Sequence, residues 1–550
     1  MMKNMRRGIP NLFKQGTAHI RGQEEAVIRN IEACRDLSSI TRTSFGPNGM
    51  NKMIINYLEK LFVTSDAATM MAEMEVQHPA AKLLVLASQM QEREIGDGSN
   101  YVIVLAGELL KQSRSLLELG LHPSEVIKGF VKASEAAIAA LDDMAVWTME
   151  EKDYAVEAMM AQATYAAICA KQYTSVDIIN PLIARACMAV MPKNTRNFNV
   201  DNVRVCKMMG GNVTHSTVIK GVVVNRDTDG EIKDVRDAKV AVFTCAVDTA
   251  STETKGTILI KDADQLMNYN ESEEKMIEAS IRAIAESGVK VIVTGGSVGD
   301  MAKHFVEKYN MMLIRIFSKF ELRRLAKTVG AHLQVRLGPV PVEQQGYCAR
   351  AYVKEVGLQK VTVFEQKEED NSKIATIMLR GSTKNILNDI ERAVDDGVNV
   401  IKAMCKDPRF LAGGGACEIE LARRIADLAG KEKSLAQYSM KKFATSFEIV
   451  PTTLAENAGL KALDVLTLLY SEHEKGNTKA GVNIEAADVK LSVKDLTEAR
   501  IFDSLATKKM AIKLATDAAI TVLRVDQIIM AKPAGGPKMG GKKGHWDDED

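Results

Sequence analysis

The sequence predicts a multidomain protein whose two ends are mainly helical and whose middle is an inserted α/β domain. Three observations carry this. The 550 residues are roughly three to four times the size of a common single domain, so several domains with more than one core are expected. Apolar residues recur at helical spacing from about residue 24 to 141 and again after Ile374. Between about residues 211 and 366 the rhythm changes to strand-like runs interleaved with helices.

Taken in order, the first helical stretch contains two glycine corners. Thr43-Ser44-Phe45-Gly46-Pro47-Asn48-Gly49 ends a helix with glycines that let backbone N–H groups approach an anion. Pro79 suits the first position of a helix that continues through Ala80, Leu83, Leu84 and Ala87. A second register follows Gly98, with Val102, Leu105, Ala106 and Leu109 at i, i+3, i+4 and i+7. The hinge between them reads Ile95-Gly96-Asp97-Gly98-Ser99-Asn100, which sets a carboxylate and free backbone donors at a helix start.

In the middle region the runs IKGVVV, KVAVFTCAV and KVIVTGG read as strands, with a helix near residues 272–287. A further helix buries Leu322, Leu325, Ala326 and Val329, which leaves Arg323, Arg324 and Lys327 on another face. Beyond Ile374 a helix with the stripe Ile386, Ile390, Val394, Gly397 and Ile401 carries Asp395 and Asp396, with Asp396 off the stripe. The third glycine corner, Gly413-Gly414-Gly415, precedes a helix over residues 417–428. The last helix is expected over residues 507–530, and the Gly-, Pro- and charge-rich residues 533–550 cannot bury enough apolar surface to order a tail.

Composition removes several classes of function. With 72 basic and 71 acidic residues interspersed, no net field favours nucleic acid or an anionic membrane. The eight cysteines form no CxxC pair and no His-containing ligand set, as expected for reduced thiols in the cytosol. The basic start MMKNMRRGIPNLF lacks the apolar core of a signal peptide, and no run of about 18 apolar residues follows. No GxxxxGK[ST] and no kinase signature occurs, so a nucleotide site must be of another design. Each glycine corner alone is an ordinary turn, and an acidic pair on a helix is ordinarily a solvated face.

Their order changes that. TSFGPNGMNKM is similar to TSLGPKGMDKM of the group II chaperonins, TSDAAT to TNDGAT, GDGSN to GDGTT, ERAVDD to ERSLHD and LAGGGACE to PGGGAVE. The resemblance spans essentially the whole chain. The runs NKMIINYLEKLFVTSDAATM, EVQHPAAK and AKQY narrow it to one subunit type of the eukaryotic cytosolic branch.

The resemblance implies the chaperonin fold: a mainly α equatorial domain, a small α/β intermediate domain, and an α/β apical domain with a helical protrusion. Residues 1–147 and 403–532 would be equatorial, 148–213 and 368–402 intermediate, and 214–367 apical, with the protrusion near residues 261–281. It also implies ATP or ADP with Mg²⁺ as cofactors. Gly46, Pro47, Gly98, Ser99 and Asn100 would hold phosphates, Asp97 the Mg²⁺, Gly414 and Asp503 the nucleoside, and Asp396 the attacking water. Arg323, Arg324 and Lys327 would face client proteins, or simply solvent. The implied partners are paralogous subunits in two stacked eight-membered rings, and unfolded or partly folded clients.

Asn48 stands where the family carries Lys, Asn56 where it carries an Asp, and Ala67 where it carries Gly, while Ala166 and Ala167 replace a Thr-Ser pair. These departures keep a rival in view: a subunit that holds nucleotide but scarcely hydrolyses it. An unrelated small-molecule kinase is a third reading, without a recognisable acceptor site.

Overall fold

The computed structural model describes residues 18–20, 23–56, 58–248, 269–357, 359–367, 374–486 and 488–530. The two chain ends build one helical body. Helices Gln23–Arg42, Pro79–Glu94, Ser99–Glu118 and Pro123–Asp143 share a core with Ala416–Lys431, Ala436–Ser446 and Leu505–Leu523. The expected stripe residues Val102, Leu105, Ala106 and Leu109 are fully buried there. Phe443 meets Phe130 and Phe447 edge-on, with ring centres 5.5 and 5.4 Å apart, so late and early parts of the chain pack on each other.

A second core joins helices Glu157–Gln172, Val176–Val190 and Lys384–Lys406 to strands Val203–Met209 and Ala375–Gly381. Those two strands run parallel and continue into a nine-stranded sheet through Thr217–Val224. Farther along it, Asp234–Phe243, Val289–Thr294 and Met312–Arg315 are parallel neighbours buried on both faces. Alternation along one strand explains this: Val240 and Val242 pack with Leu322 and Leu325, while Ala241 and Phe243 pack with Ile277 and Phe305. The architecture is α-rich with a mixed sheet, as the sequence predicts.

Several elements differ from expectation. The first stretch is not helical throughout, because Lys52–Ile55 and Leu61–Thr64 form an antiparallel hairpin; β-branched and aromatic residues around a turn favour it. The last helix stops at Leu523, and Ile528–Met530 pairs with Ala18–Ile20 instead, which gives the backbone groups beyond the helix their partners. Ile386 is exposed, whereas Asp396, read as off the stripe, is buried. Residues 261–268 of the expected protrusion and the tail 533–550 lie outside the described residues.

Candidate functional site

The three glycine corners meet. The hinge is held from two sides, since Gln91 Nε2 donates to Asp97 O at 2.8 Å and to Thr507 O at 3.4 Å on the C-terminal helix. Gly98, at φ +80°, is the N-cap of helix Ser99–Glu118, a left-handed position that suits glycine. Asn100 Nδ2 reaches Thr41 O at 3.4 Å, and Asn457 Nδ2 bonds Phe45 O at 2.8 Å, which fixes the first corner to the hinge helix and to the C-terminal half.

Between the corners lies a cavity of about 470 Å³, within the range of small-molecule and cofactor sites. Gly46, Pro47, Asp97, Gly98, Ser99 and Asn100 border it from the first half of the chain, and Gly414 and Asp503 from the second. Apolar Val450, Leu454, Val482, Ile484 and Ile501 line it too, so the cavity offers apolar surface as well as backbone donors. Ala166 and Ala167 also line it, whereas Asn48, Asn56 and Ala67 do not. Asn56 is committed to the hairpin turn: its Oδ1 accepts from Leu58 and Lys60 N–H, both at 3.0 Å, and its Nδ2 donates to Glu73.

Asp396 is not part of the cavity wall. It stands one layer behind, 3.4 Å from the ammonium of Lys171, which does line the cavity. Lys171 Nζ also bonds Asp66 Oδ1 at 2.6 Å, so one buried cation holds two buried carboxylates. Burial works against the Asp66 charge, but Lys171 and two bonds from Thr69 outweigh it and hold this carboxyl well below the usual range. For Asp396 burial prevails over Lys171, with Asp97 and Asp66 adding repulsion, and its pKa rises well above the ordinary value. Asp97 is raised by burial against the pull of Lys171 and of the Gly98 N–H, which Oδ1 accepts at 2.7 Å.

Arg323, Arg324 and Lys327 lie elsewhere, on the outer face of helix Lys319–Val329. Leu322, Leu325, Ala326 and Val329 are buried beneath them as expected. Sequence reasoning missed Lys171, Asp66, Glu418 and Lys508. For Asp66 a signal existed: Ser-Asp before AATMMAE is a helix start, and its carboxylate does cap helix Ala67–Glu73 by accepting from Thr69 N–H.

No group of three or more His, Cys, Asp or Glu suited to a metal occurs among the described residues. Magnesium is commonly held by one or two carboxylates with the rest of its shell from phosphate and water. Asp97, at a helix start and without an ion pair among the described residues, fits that arrangement.

A pocket of helix starts and glycine corners, on this α-rich body and mixed sheet, defines a class. The chain belongs to the TCP-1/cpn60 chaperonin family, whose sequence model matches residues 37–533. Within that class it is similar to the theta type of subunit. It is 50% identical over 542 residues to T-complex protein 1 subunit theta of Gallus gallus, covering 98% of each chain. Identity to the theta subunit of Arabidopsis thaliana is 52% over 531 residues, 96% of each chain, and to that of Homo sapiens 51% over 542 residues, 98% of each.

Proposed function

We propose that this chain is one subunit of a hetero-oligomeric double ring, two stacked rings of eight paralogous chaperonin subunits. The ring binds unfolded or partly folded proteins and uses ATP binding and hydrolysis to fold them. The observation that carries the reading is convergence: residues near positions 46, 97, 414 and 503 border one cavity, with an acid from the helix Lys384–Lys406 behind its wall. The helical body would be the equatorial domain, the core around helix Lys384–Lys406 the intermediate domain, and the sheet with helix Lys319–Val329 the apical domain. Arg323, Arg324 and Lys327 would be client contacts there. All eight cysteines are free, which suits a reducing, cytosolic setting. No described helix is long and apolar enough to cross a membrane.

In this reading Gly46, Pro47, Gly98, Ser99 and Asn100 cradle the phosphates, because helix starts and glycine turns present unpaired N–H groups. Gly414 and Asp503 contact the nucleoside. Asp97 would hold Mg²⁺, which when bound supplies positive charge to offset that of the phosphates. Asp396 would orient the attacking water once the helix Lys384–Lys406 that carries it closes on the cavity. Lys171 stands between Asp396 and the cavity and holds the carboxylate 3.4 Å from its ammonium, so the position of the helix Lys384–Lys406 and the chemistry would be coupled through one cation.

A second reading, a nucleotide-filled subunit that hardly hydrolyses, draws on Ala166 and Ala167, which put methyl groups on the cavity wall. It also draws on Asn48 and Asn56, which stand where the family carries Lys and Asp, whereas Asp97 and Asp396 speak against it.

The reading is tested by nucleotide binding to the full chain. ATP is expected to bind at least about tenfold more tightly with Mg²⁺ than with chelator, and Asp97→Asn should erase that difference while leaving magnesium-free binding unchanged. Absence of ATP binding by the unmodified chain, or a magnesium effect that survives Asp97→Asn, contradicts it.

A further inference from the structure

Lys508 enters the cavity wall from the first turn of helix Leu505–Leu523. A cation is out of place there, since the free N–H groups of a helix start carry partial positive charge and this side chain is buried. Three neighbours offset the mismatch. Its Nζ bonds Glu418 Oε1, stands 3.1 Å from Asp503 Oδ2, and lies 4.5 Å from the centre of the Tyr101 ring. Glu418 is wholly buried in the first turn of helix Ala416–Lys431, where negative charge suits the helix start. Tyr101 sits in the first turn of Ser99–Glu118. One ammonium therefore ties together the helices that follow the Gly96-Asp97-Gly98 hinge, the Gly413-Gly414-Gly415 corner and the strand Phe502–Ser504 that carries Asp503.

The pairing leaves a directional acceptor. Lys508 is the ion-pair partner of Asp503 among the described residues and takes Oδ2. No described residue hydrogen-bonds Oδ1, and the Asp503 side chain keeps 28% of its surface open on the cavity border. Two carboxylates against one ammonium leave a surplus negative charge, so this region of the cavity favours hydroxyl donors and disfavours phosphate oxygens.

We propose that Lys508, backed by Glu418, is a positioning residue that fixes Asp503 so that its free carboxylate oxygen accepts hydrogen bonds from the adjacent hydroxyls of a nucleotide's ribose. This rests on the nucleotide reading above. Lys508 acts through Asp503 and does not touch the phosphates; its removal therefore changes sugar discrimination and spares triphosphate binding.

The test compares ATP, 2′-deoxy-ATP, 3′-deoxy-ATP and inorganic tripolyphosphate on the full chain. Because Lys508→Met alone strands Glu418 as a buried charge, the variant is Lys508→Met with Glu418→Gln. Asp503→Asn, which leaves the Lys508–Glu418 pair intact, is the second variant. The unmodified chain should prefer ATP to the deoxy nucleotides by on the order of tenfold, the worth of a hydrogen bond to a charged group. Both variants should lose that preference through weaker ATP binding, with tripolyphosphate unaffected. Preference retained in either variant, or equal weakening of every probe, overturns the proposal. Failure of the unmodified chain to bind ATP overturns the nucleotide reading itself.

Discussion

Lys171 shows how far single residues decide this site. Its ammonium is buried with Asp66 and Asp396, and burial alone would lower its pKa, but the two carboxylates raise it instead. Removing one partner of a buried ionic cluster leaves uncompensated charge, at a cost of about 3–5 kcal/mol. Lys171→Met should lower the stability measured by urea unfolding by that amount. Lys509→Met, which breaks the more open pair of Lys509 with Asp142, should cost no more than about 1 kcal/mol. Equal losses in the two variants would mean that burial adds nothing to the cluster. Nearby, burial and then the charge of Asp66 push Glu92 from 4.5 up to about 7, against Lys171, with Asp97 and Asp395 adding smaller repulsion. The folded chain thus keeps a proton that the unfolded chain has already lost. Its stability falls as pH rises from about 4.5 to about 7, and above that the penalty is complete. Glu92→Gln has no proton to lose, so its melting temperature should gain on the parent's across this window; a constant difference contradicts the assignment. Neither Lys171 nor Glu92 was legible in the sequence. A Lys on a helix reads as solvated, and this one is buried only because Asp66, 105 residues away, comes to meet it.

At the scale of elements, the hinge and the helix Lys384–Lys406 are locked by shape. Gly96 has φ +84°, and a Cβ there would lie 2.2 Å from Asn399 Cγ on that helix. Gly96→Ala therefore combines a left-handed backbone penalty of about 1–2 kcal/mol with a collision that displaces the helix bearing Asp396. Gly120 supplies the control, because it has φ +88° and nothing within 4 Å of its would-be Cβ. Gly120→Ala should cost the backbone term alone, and Gly96→Ala more, by thermal unfolding. Equal losses would show that the hinge does not press on the helix. Elements of this kind were largely legible. Helical spacing placed Ser99–Glu118 and Lys319–Val329 and named their buried faces, since one face of each packs on a continuous core. The hairpin Lys52–Ile55 with Leu61–Thr64 was not, because two four-residue strands are too short to stand out against the helical spacing on either side, nor was the end of the last helix, because pairing of Ile528–Met530 with the distant Ala18–Ile20 outweighs local periodicity.

For the whole molecule, the glycine corners were readable one at a time as turns, and only their order along the chain joined them into a site. Their meeting depends on tertiary staples such as Gln91, which bonds both the hinge and Thr507 O, 416 residues on. Asp396 came from resemblance to a family and not from helical spacing, which placed it outside the core. Its position behind Lys171 makes the central claim testable in one measurement: the nucleotide found at this subunit in assembled rings under turnover, for the parent chain and for Asp396→Asn. ADP should form at the parent site and ATP persist at the variant site, with binding retained in both. ADP forming equally fast at both would contradict the role given to Asp396 and the coupling of hinge to cavity.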